Sequence, residues 1–317
     1  MPKSTPFMST ATTISTARKD RATTRQPTLL TNEQRGWTKA SQHFLRQRLS
    51  LLAALLLITL SLMAMLAPWV APYDPAEQLR DAGRMGQPTG PSVRFWLGTD
   101  NLQRDQLSRL IFGARVTLGV GLGASLLTVL VGVGYGSLAG LAGGVIDNWL
   151  MRLVDVVISL PTLFLIMLLI VIFGRSLWVL VGVIAAVNWA YPARVFRSEV
   201  VSLNQREFII AARSVGAGNG RIFRQHILPQ LLPLGIVYTG LGVPAAIFAE
   251  ASLSFLGLGI PAPTPAWGSM LQAGLSFYRS APLLVLWPGV CILVTCVCFT
   301  LLSNGLRDAL DPLGRYR

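Results

Sequence analysis

Charge is what this chain has least of. Asp, Glu, Lys and Arg together make up 13% of its 317 residues, about half the fraction usual in a soluble domain, while mean hydropathy is +0.54. So little charge cannot keep a folded surface in water, which excludes a soluble globular domain. Histidine occurs only at His43 and His226, and no HExxH spacing exists. GxSxG and the phosphate-cradling GxxxxGK[ST] are missing too, so the chain cannot bind and hydrolyse ATP by itself and carries no catalytic, cofactor-binding or metal-binding residues. The three cysteines, Cys291, Cys296 and Cys298, crowd into one apolar stretch. Their spacing fits neither a CxxC zinc pair nor a disulfide framework, and they read as small buried apolar groups.

What is abundant is apolar sequence in long runs. A bilayer-spanning helix needs about 20 mostly apolar residues, and six intervals supply them: 49–73, 116–146, 156–174, 176–193, 225–249 and 280–306. The formal net charge of +13 is unevenly spread along the chain. Residues 1–48 hold nine Lys or Arg against Asp20 and Glu33, and residues 191–233 hold six Arg against Glu199 and Glu207. The segment 72–112 balances five basic with five acidic residues. The positive-inside rule therefore predicts a cytoplasmic amino terminus, a cytoplasmic 191–233 loop and an external 72–112 loop. Six crossings return the carboxyl terminus to the cytoplasm, where Arg307, Arg315 and Arg317 agree.

The expected organisation is all-α and polytopic. A disordered basic tail (1–48), rich in Ser, Thr, Gln and Arg, precedes a first transmembrane helix (49–71) and the external loop (72–112). A five-helix core (113–304) contains the cytoplasmic loop 191–233, and a cytoplasmic tail (305–317) ends the chain. Trp69, Phe95 and Trp96 are expected at headgroup level. Gly132, Gly136, Gly140 and Gly144 recur every four residues and predict a flat helical face for close packing, with Gly119 and Gly123 repeating the spacing. Pro161 is expected to break or bend the third span, with Pro192, Pro244 and Pro288 marking similar points. GLGIPAPTPAW from Gly257 cannot be regular helix and reads as an external or re-entrant loop. Asp155, three residues after Arg152, suits a helical ion pair, and Asp147 and Asn148 are candidate caps. Glu250 is the one acid set deep in a span; it either lines a solute pathway or caps the turn before Gly257 within reach of water.

The most informative stretch is Glu207 to Gln230, EFIIAARSVGAGNGRIFRQHILPQ, a charged insert between two spans. Asn204 followed by Glu207 has the form of a capping box, predicting a helix from Gln205 that buries Phe208, Ile209 and Ala212. Gly216 supplies the reversal through positive φ, and Asn219 caps a second helix ending before Pro229. The result expected is two short helices about a glycine elbow. A DNA-binding helix-turn-helix is disfavoured by Arg213, Arg221 and Arg224 lying within a few residues of a span. Simple headgroup contact explains the charge but not the elbow.

Ile210-Ala211-Ala212, then Gly216, then His226-Ile227-Leu228-Pro229, resembles the EAA loop of bacterial ABC importer permeases, which forms a coupling helix on an ATPase subunit. The usual glutamate position holds Ile210, whereas Glu207 matches the peptide-type variant with its acidic residue three positions earlier. LGTDNLQRDQLSRLIFGAR from Leu97, DNWLMRLVDVVISLPTL from Asp147, AEASLSFLGLGIPAPTPAWGSML from Ala249 and NGLRDALDP from Asn304 are similar to the C-type permease of dipeptide, oligopeptide and nickel importers. The likeness covers about residues 45–312 and departs at Gln103, where that family usually has glycine.

The resemblance implies a type I importer fold in the bacterial inner membrane and a coupling surface made of Glu207, Ala211, Ala212, Arg213, Gly216, Leu228 and Pro229. It further implies a related second permease forming a heterodimer, two ABC ATPase subunits that bind the ATP and Mg, and an extracytoplasmic solute-binding protein, with no nucleic acid. The cargo expected is a peptide or related small solute. The rival is a secondary transporter or channel driven by an ion gradient, which needs ionisable residues along its spans; Glu250 stands nearly alone.

Overall fold

A computed structural model describes residues 48–79 and 85–310. The expectations for the amino-terminal tail, Arg48 apart, and for Arg315 and Arg317 fall outside the described residues. The described chain is helical without strands: α1 Arg48–Met65, α2 Gln106–Ala142, α3 Gly144–Ser159, α4 Thr162–Phe173, α5 Leu177–Asn188, α6 Ala190–Asn204, α7 Glu207–Ser214, α8 Asn219–Phe255, α9 Trp267–Leu275 and α10 Leu283–Leu310. A single turn, Ala67–Val70, prolongs α1. Helices α1, α2, α8 and α10 are each long and apolar enough to cross a bilayer, and the bent pairs α3–α4 and α5–α6 raise the count to six if each pair is one span.

Helix α2 is the axis of the bundle. Its first turn is capped by Asp105, whose carboxylate accepts from the Ser108 N–H at 2.8 Å and the Ser108 hydroxyl at 2.7 Å. It ends at Gly143, where φ is +62°. At about 1.5 Å per residue its 37 residues exceed a hydrocarbon core of about 30 Å, so an end must project into the polar layer. That end is the Asp105 end, where residues 100–109 form a buried polar knot with Pro75. Asp100 accepts from the main chain of Leu102 and Arg104 at 2.9 Å each and from the Arg104 guanidinium at 2.7 Å. Arg109 reaches the Pro75 carbonyl at 3.1 Å.

Gln103 closes this knot in an unusual way. The turn is intact, with Gln103 N–H donating to Asp100 at 3.0 Å, yet Gln103 takes φ +58°. Its side chain is buried with neither amide atom bonded. A left-handed residue with a Cβ costs about 1–2 kcal/mol, and the unbonded amide adds to that cost. Gln103→Gly is therefore expected to raise stability by about 1 kcal/mol after the entropic cost of glycine. Thermal unfolding of the purified subunit in detergent checks this; a lower melting temperature overturns it. Phe95, expected at headgroup level, is instead 5% exposed and packs on Tyr73 with ring centroids 5.6 Å apart. Trp69 and Trp96 remain exposed.

Helix α6 packs along α2 at the other end, against the glycine rungs. A Cβ at Gly132 would lie 2.6 Å from the Pro192 side chain, one at Gly136 2.4 Å from the Ala193 carbonyl oxygen, and one at Gly140 2.9 Å from Val200. Without side chains there, two backbones come together over two turns, where dispersion is the chief attraction available in lipid. The fourth expected rung corrects the pattern. Gly144 has φ +54° and open space around it, because the Gly143–Gly144 junction has already turned the chain into α3. A Cβ at Gly123 would lie 3.4 Å from Val181, and one at Gly119 would meet nothing within 4 Å.

Pro161 breaks the third span, leaving α3 and α4 at 89°; α5 and α6 meet at 51°. Helices α8, α9, α10 and α1 complete the bundle around α2. Trp267 at the start of α9 is fully buried, donating its main-chain N–H to Thr117 at 3.2 Å and its indole N–H to the Leu110 carbonyl at 3.0 Å. The Pro-rich segment before it is non-helical. Cys296 and Cys298 are buried and Cys291 half-buried among apolar neighbours.

Candidate functional site

The Asn204 end of the bundle is where the charged insert lies, and its local logic differs from a capping box. Asn204 is the last residue of α6, not the cap of α7. Its amide nitrogen donates to the Gly140 carbonyl at 3.1 Å, and its oxygen accepts from Arg213 at 3.1 Å. Both polar atoms of Asn204 are thus engaged, and α7 starts at Glu207 after the uncapped extended residue Arg206.

One residue anchors α7. Ile209 is fully buried against Val200 and Leu203 of α6 and Ile222, Ile227 and Leu231 of α8. Phe208, expected inside, is 41% exposed, and Ala212 is half-buried. Helix α7 closes by Gly216 N–H to Arg213 and Ala217 N–H to Ala212, at 2.9 and 3.0 Å. Gly216 has φ +89°, a conformation that favours a residue without Cβ, and nothing lies within 4 Å of where a Cβ would be.

The return helix is also different from expectation. Gly218, not Asn219, precedes it, and it does not stop at Pro229. Helical structure runs from Asn219 through a π-turn at Phe223–Ile227 into the long span, with Pro229 in the first turn of the regular α segment, where its missing N–H costs little. Leu228 and Pro229 therefore stand inside α8, just past its π-turn, rather than on the elbow. The exposed elbow carries Glu207, Ile210, Ala211, Arg213, Val215 and Gly216. Ile210 is 53% and Val215 90% exposed, so apolar side chains are offered beside charged ones at a polar end of the bundle.

Two ion pairs brace this end. Arg197 of α6 grips Asp147 of α3 with two nitrogens, the Nε contact at 2.6 Å, and Arg194 pairs with Asp155. Asp155 thus faces α6 and not Arg152, and Asp147 is a tertiary partner rather than a cap. The sequence held one usable signal for these pairs. Asp147 and Asp155 lie about two helical turns apart and Arg194 and Arg197 about one, so each pair of like charges shares a helix face. Tyr135 adds a third tie from α2, donating to the Leu150 carbonyl at 2.9 Å.

Glu250 lies far from the elbow, towards the other end of α8. It is fully buried, with one carboxylate oxygen accepting from Ser254 at 2.6 Å and the other unbonded. The expected access to water is absent because α9 and the Gly259 turn close over Ser254: added Cβ atoms at Gly259 and Gly268 would approach it to 2.0 and 2.9 Å. Among the described residues no cluster of three or more His, Cys, Asp or Glu side chains is placed to hold a metal ion.

These features match known proteins. Residues 110–315 match the family described as "Binding-protein-dependent transport system inner membrane component", and residues 37–88 match the N-terminal TM domain of oligopeptide transport permease C. The chain is 38% identical to the dipeptide transport system permease protein DppC of Alkalihalophilus pseudofirmus, covering 87% of this chain and 90% of that protein. It is 38% identical to the nickel transport system permease protein NikC of Escherichia coli, with 85% and 96% covered. For the di/tripeptide transport system permease protein DppC of Pseudomonas aeruginosa the identity is 39%, with 86% and 90% covered. A chain of the MetNI methionine ABC transporter in an inward-facing conformation has the same fold, with a TM-score of 0.50 at 20% identity over 64% of this chain and 97% of that one. By a match that takes in α2 through α10, at the identities its relatives share with it, the chain belongs to the inner membrane components of binding-protein-dependent transport systems.

Proposed function

We propose that this permease forms one half of a heterodimeric pore that moves peptides or related small solutes inward across a bacterial inner membrane. One of two ATPase subunits seats on the α7 elbow, a related permease completes the pore and seats the other, and an extracytoplasmic binding protein delivers the solute. ATP hydrolysis belongs to the partner subunits; this chain is not an enzyme. The excess of arginine over residues 191–233 supports a cytoplasmic elbow, and the same rule sets both termini in the cytoplasm. The relatives named for dipeptide, di/tripeptide and nickel transport support the solute class. The single observation that carries the coupling role is the elbow itself, rooted by Ile209 yet presenting Ile210, Val215 and Arg213 outward. A mixed apolar and charged ridge on so short a root suits insertion into a cleft, which turns closure of the ATPases into tilting of α6 and α8.

Gly216 tests docking once its backbone strain is controlled. Nothing surrounds a Cβ there, so Gly216→Trp meets no neighbour, but at φ +89° it strains the elbow by about 1–2 kcal/mol besides adding a bulky group to the docking ridge. Co-expressed with its neighbouring subunits and purified in detergent, the wild-type chain is expected to retain ATPase subunits and the Gly216→Trp chain to lose them, with transport reduced at least 100-fold. Gly216→Asn, which tolerates positive φ, is expected to keep most of both. Intact assembly and transport in the Trp variant would remove the elbow as the docking ridge. Uptake that follows an ion gradient instead of ATP would favour a secondary transporter.

A further inference from the structure

A cavity of about 340 Å³ opens where α2, the α5–α6 bend and α8 meet, a size within the range of small-molecule sites. All three elements contribute near their midpoints: Thr128 from α2, Asn188 from the bend, and Tyr238 and Ala245 from α8. The site therefore sits at mid-membrane depth. Its lining contains no Asp, Glu, Lys, Arg or His, but Ser125, Thr128, Asn188, Tyr191 and Tyr238 all reach it. Polar groups facing hydrocarbon at that depth are costly, and are tolerated where they line water.

The polarity is weighted towards acceptors at one residue. Asn188 donates its side-chain N–H to the Ile184 carbonyl at 2.8 Å, leaving its Oδ1 without a partner among the described residues. Four residues on, Pro192 has no N–H to offer, so the Asn188 main-chain carbonyl also lacks its helical donor. Ser125 is spent differently: it donates to the Thr239 carbonyl at 2.5 Å and closes the seam between α2 and α8. Towards the α7 end the glycine rungs bring α2 against α6 and shut the cavity. It opens sideways instead, past Tyr191 and the exposed Ala245.

We propose that this cavity is the subunit's half of the solute path, and that Asn188 is a specificity-determining residue accepting an N–H from the passing solute. Uncharged walls with two unmet carbonyl acceptors suit amide and ammonium groups and offer no cation to a lone carboxylate. The proposal rests on the transport reading above and adds where the solute passes and what reads it.

The test uses the whole transporter in membranes, with Cys291, Cys296 and Cys298 replaced by alanine and a single cysteine at Ala245→Cys or, as a control on the outermost helix, Leu55→Cys. The probe is a water-borne cationic methanethiosulfonate, with and without vanadate-trapped ATP. Ala245→Cys is expected to react at least 10-fold faster than Leu55→Cys and to change rate several-fold on trapping. Equal slow labelling at both positions overturns the cavity as a path, as does a rate that trapping leaves unchanged while the ATPase cycles. In the same vesicles Asn188→Leu is expected to raise KM for ATP-driven Ala-Ala uptake about tenfold, the loss of one hydrogen bond; an unchanged KM removes Asn188 as the reader. If the wild-type complex shows no vanadate-sensitive ATPase, it is the coupling reading that fails, and the nucleotide-free labelling contrast still decides whether the cavity holds water.

Discussion

Gly136→Leu is expected to leave no stably folded subunit, while Gly134→Leu, two residues away on the same helix, behaves nearly as wild type. The contrast follows from what each position faces. A Cβ at Gly136 would lie 2.4 Å from the Ala193 carbonyl oxygen and 2.8 Å from the Arg197 main-chain nitrogen, whereas one at Gly134 meets nothing within 4 Å. A clash with a flexible side chain is relieved by a rotamer change, but here the obstacle is the backbone of α6. The two helices have to separate along the whole seam. Overpacking of a core costs about 1–3 kcal/mol when side chains can adjust, and separation of α2 from α6 also withdraws Phe196 and Val200, both fully buried. The total reaches the order of the whole stability of a domain, about 5–15 kcal/mol. Size-exclusion profile and yield in detergent check the pair of variants; equal profiles for the two would show that α6 does not depend on this close approach.

The same seam marks how far the sequence could be read. Hydropathy alone gave six apolar runs, because a bilayer demands length and freedom from charge whatever the tertiary contacts, and Pro161 announced the break between α3 and α4 through its missing donor. The four-residue glycine spacing was visible, but not that it ends at Gly143: φ +62° there turns the chain, and spacing says nothing about dihedrals. Other misses share a cause. Arg152 and Asp155 look paired when only neighbours along one helix are considered, yet α6 brings Arg194 to Asp155 from across the bundle. Asn204 looks like a cap because its side chain suits one, but Gly140 and Arg213 claim both its polar atoms first. A π-turn at Phe223–Ile227 has no composition signal, so the continuous run of α8 from Asn219 was legible only in three dimensions. The cavity at Asn188 was missed because its walls come from three helices, each contributing residues unremarkable in isolation.

Asp147→Ala is expected to destabilise the subunit by about 2–3 kcal/mol, less than the 3–5 kcal/mol of a fully enclosed pair because Arg197 keeps partial access to solvent. The Asp147 side chain is 9% exposed and Arg197 35%, and the guanidinium meets both carboxylate oxygens, so truncating the acid strands a partly buried cation. Arg197→Ala has the mirror effect. Arg197→Lys does not restore stability, since an ammonium cannot make the two parallel contacts. The neighbouring pair provides an internal contrast: Arg194 and Asp155 are 46% and 48% exposed, and Asp155→Ala is expected to cost less than about 1 kcal/mol. A double-mutant cycle in detergent-solubilised protein, read by thermal unfolding, separates pair coupling from lost packing; additivity of Asp147→Ala and Arg197→Ala would mean that the contact contributes nothing beyond its parts. The consequence for transport follows from position. Helix α6 runs directly into the α7 elbow, and Arg197 ties it to the broken span α3–α4, so under the coupling proposed above this contact would carry movement of the elbow to that span. With the tie cut, the ATPases are expected to keep hydrolysing ATP in reconstituted vesicles while uptake falls at least tenfold. Parallel loss of hydrolysis and uptake would instead place Asp147 in assembly of the complex, not in transmission through it.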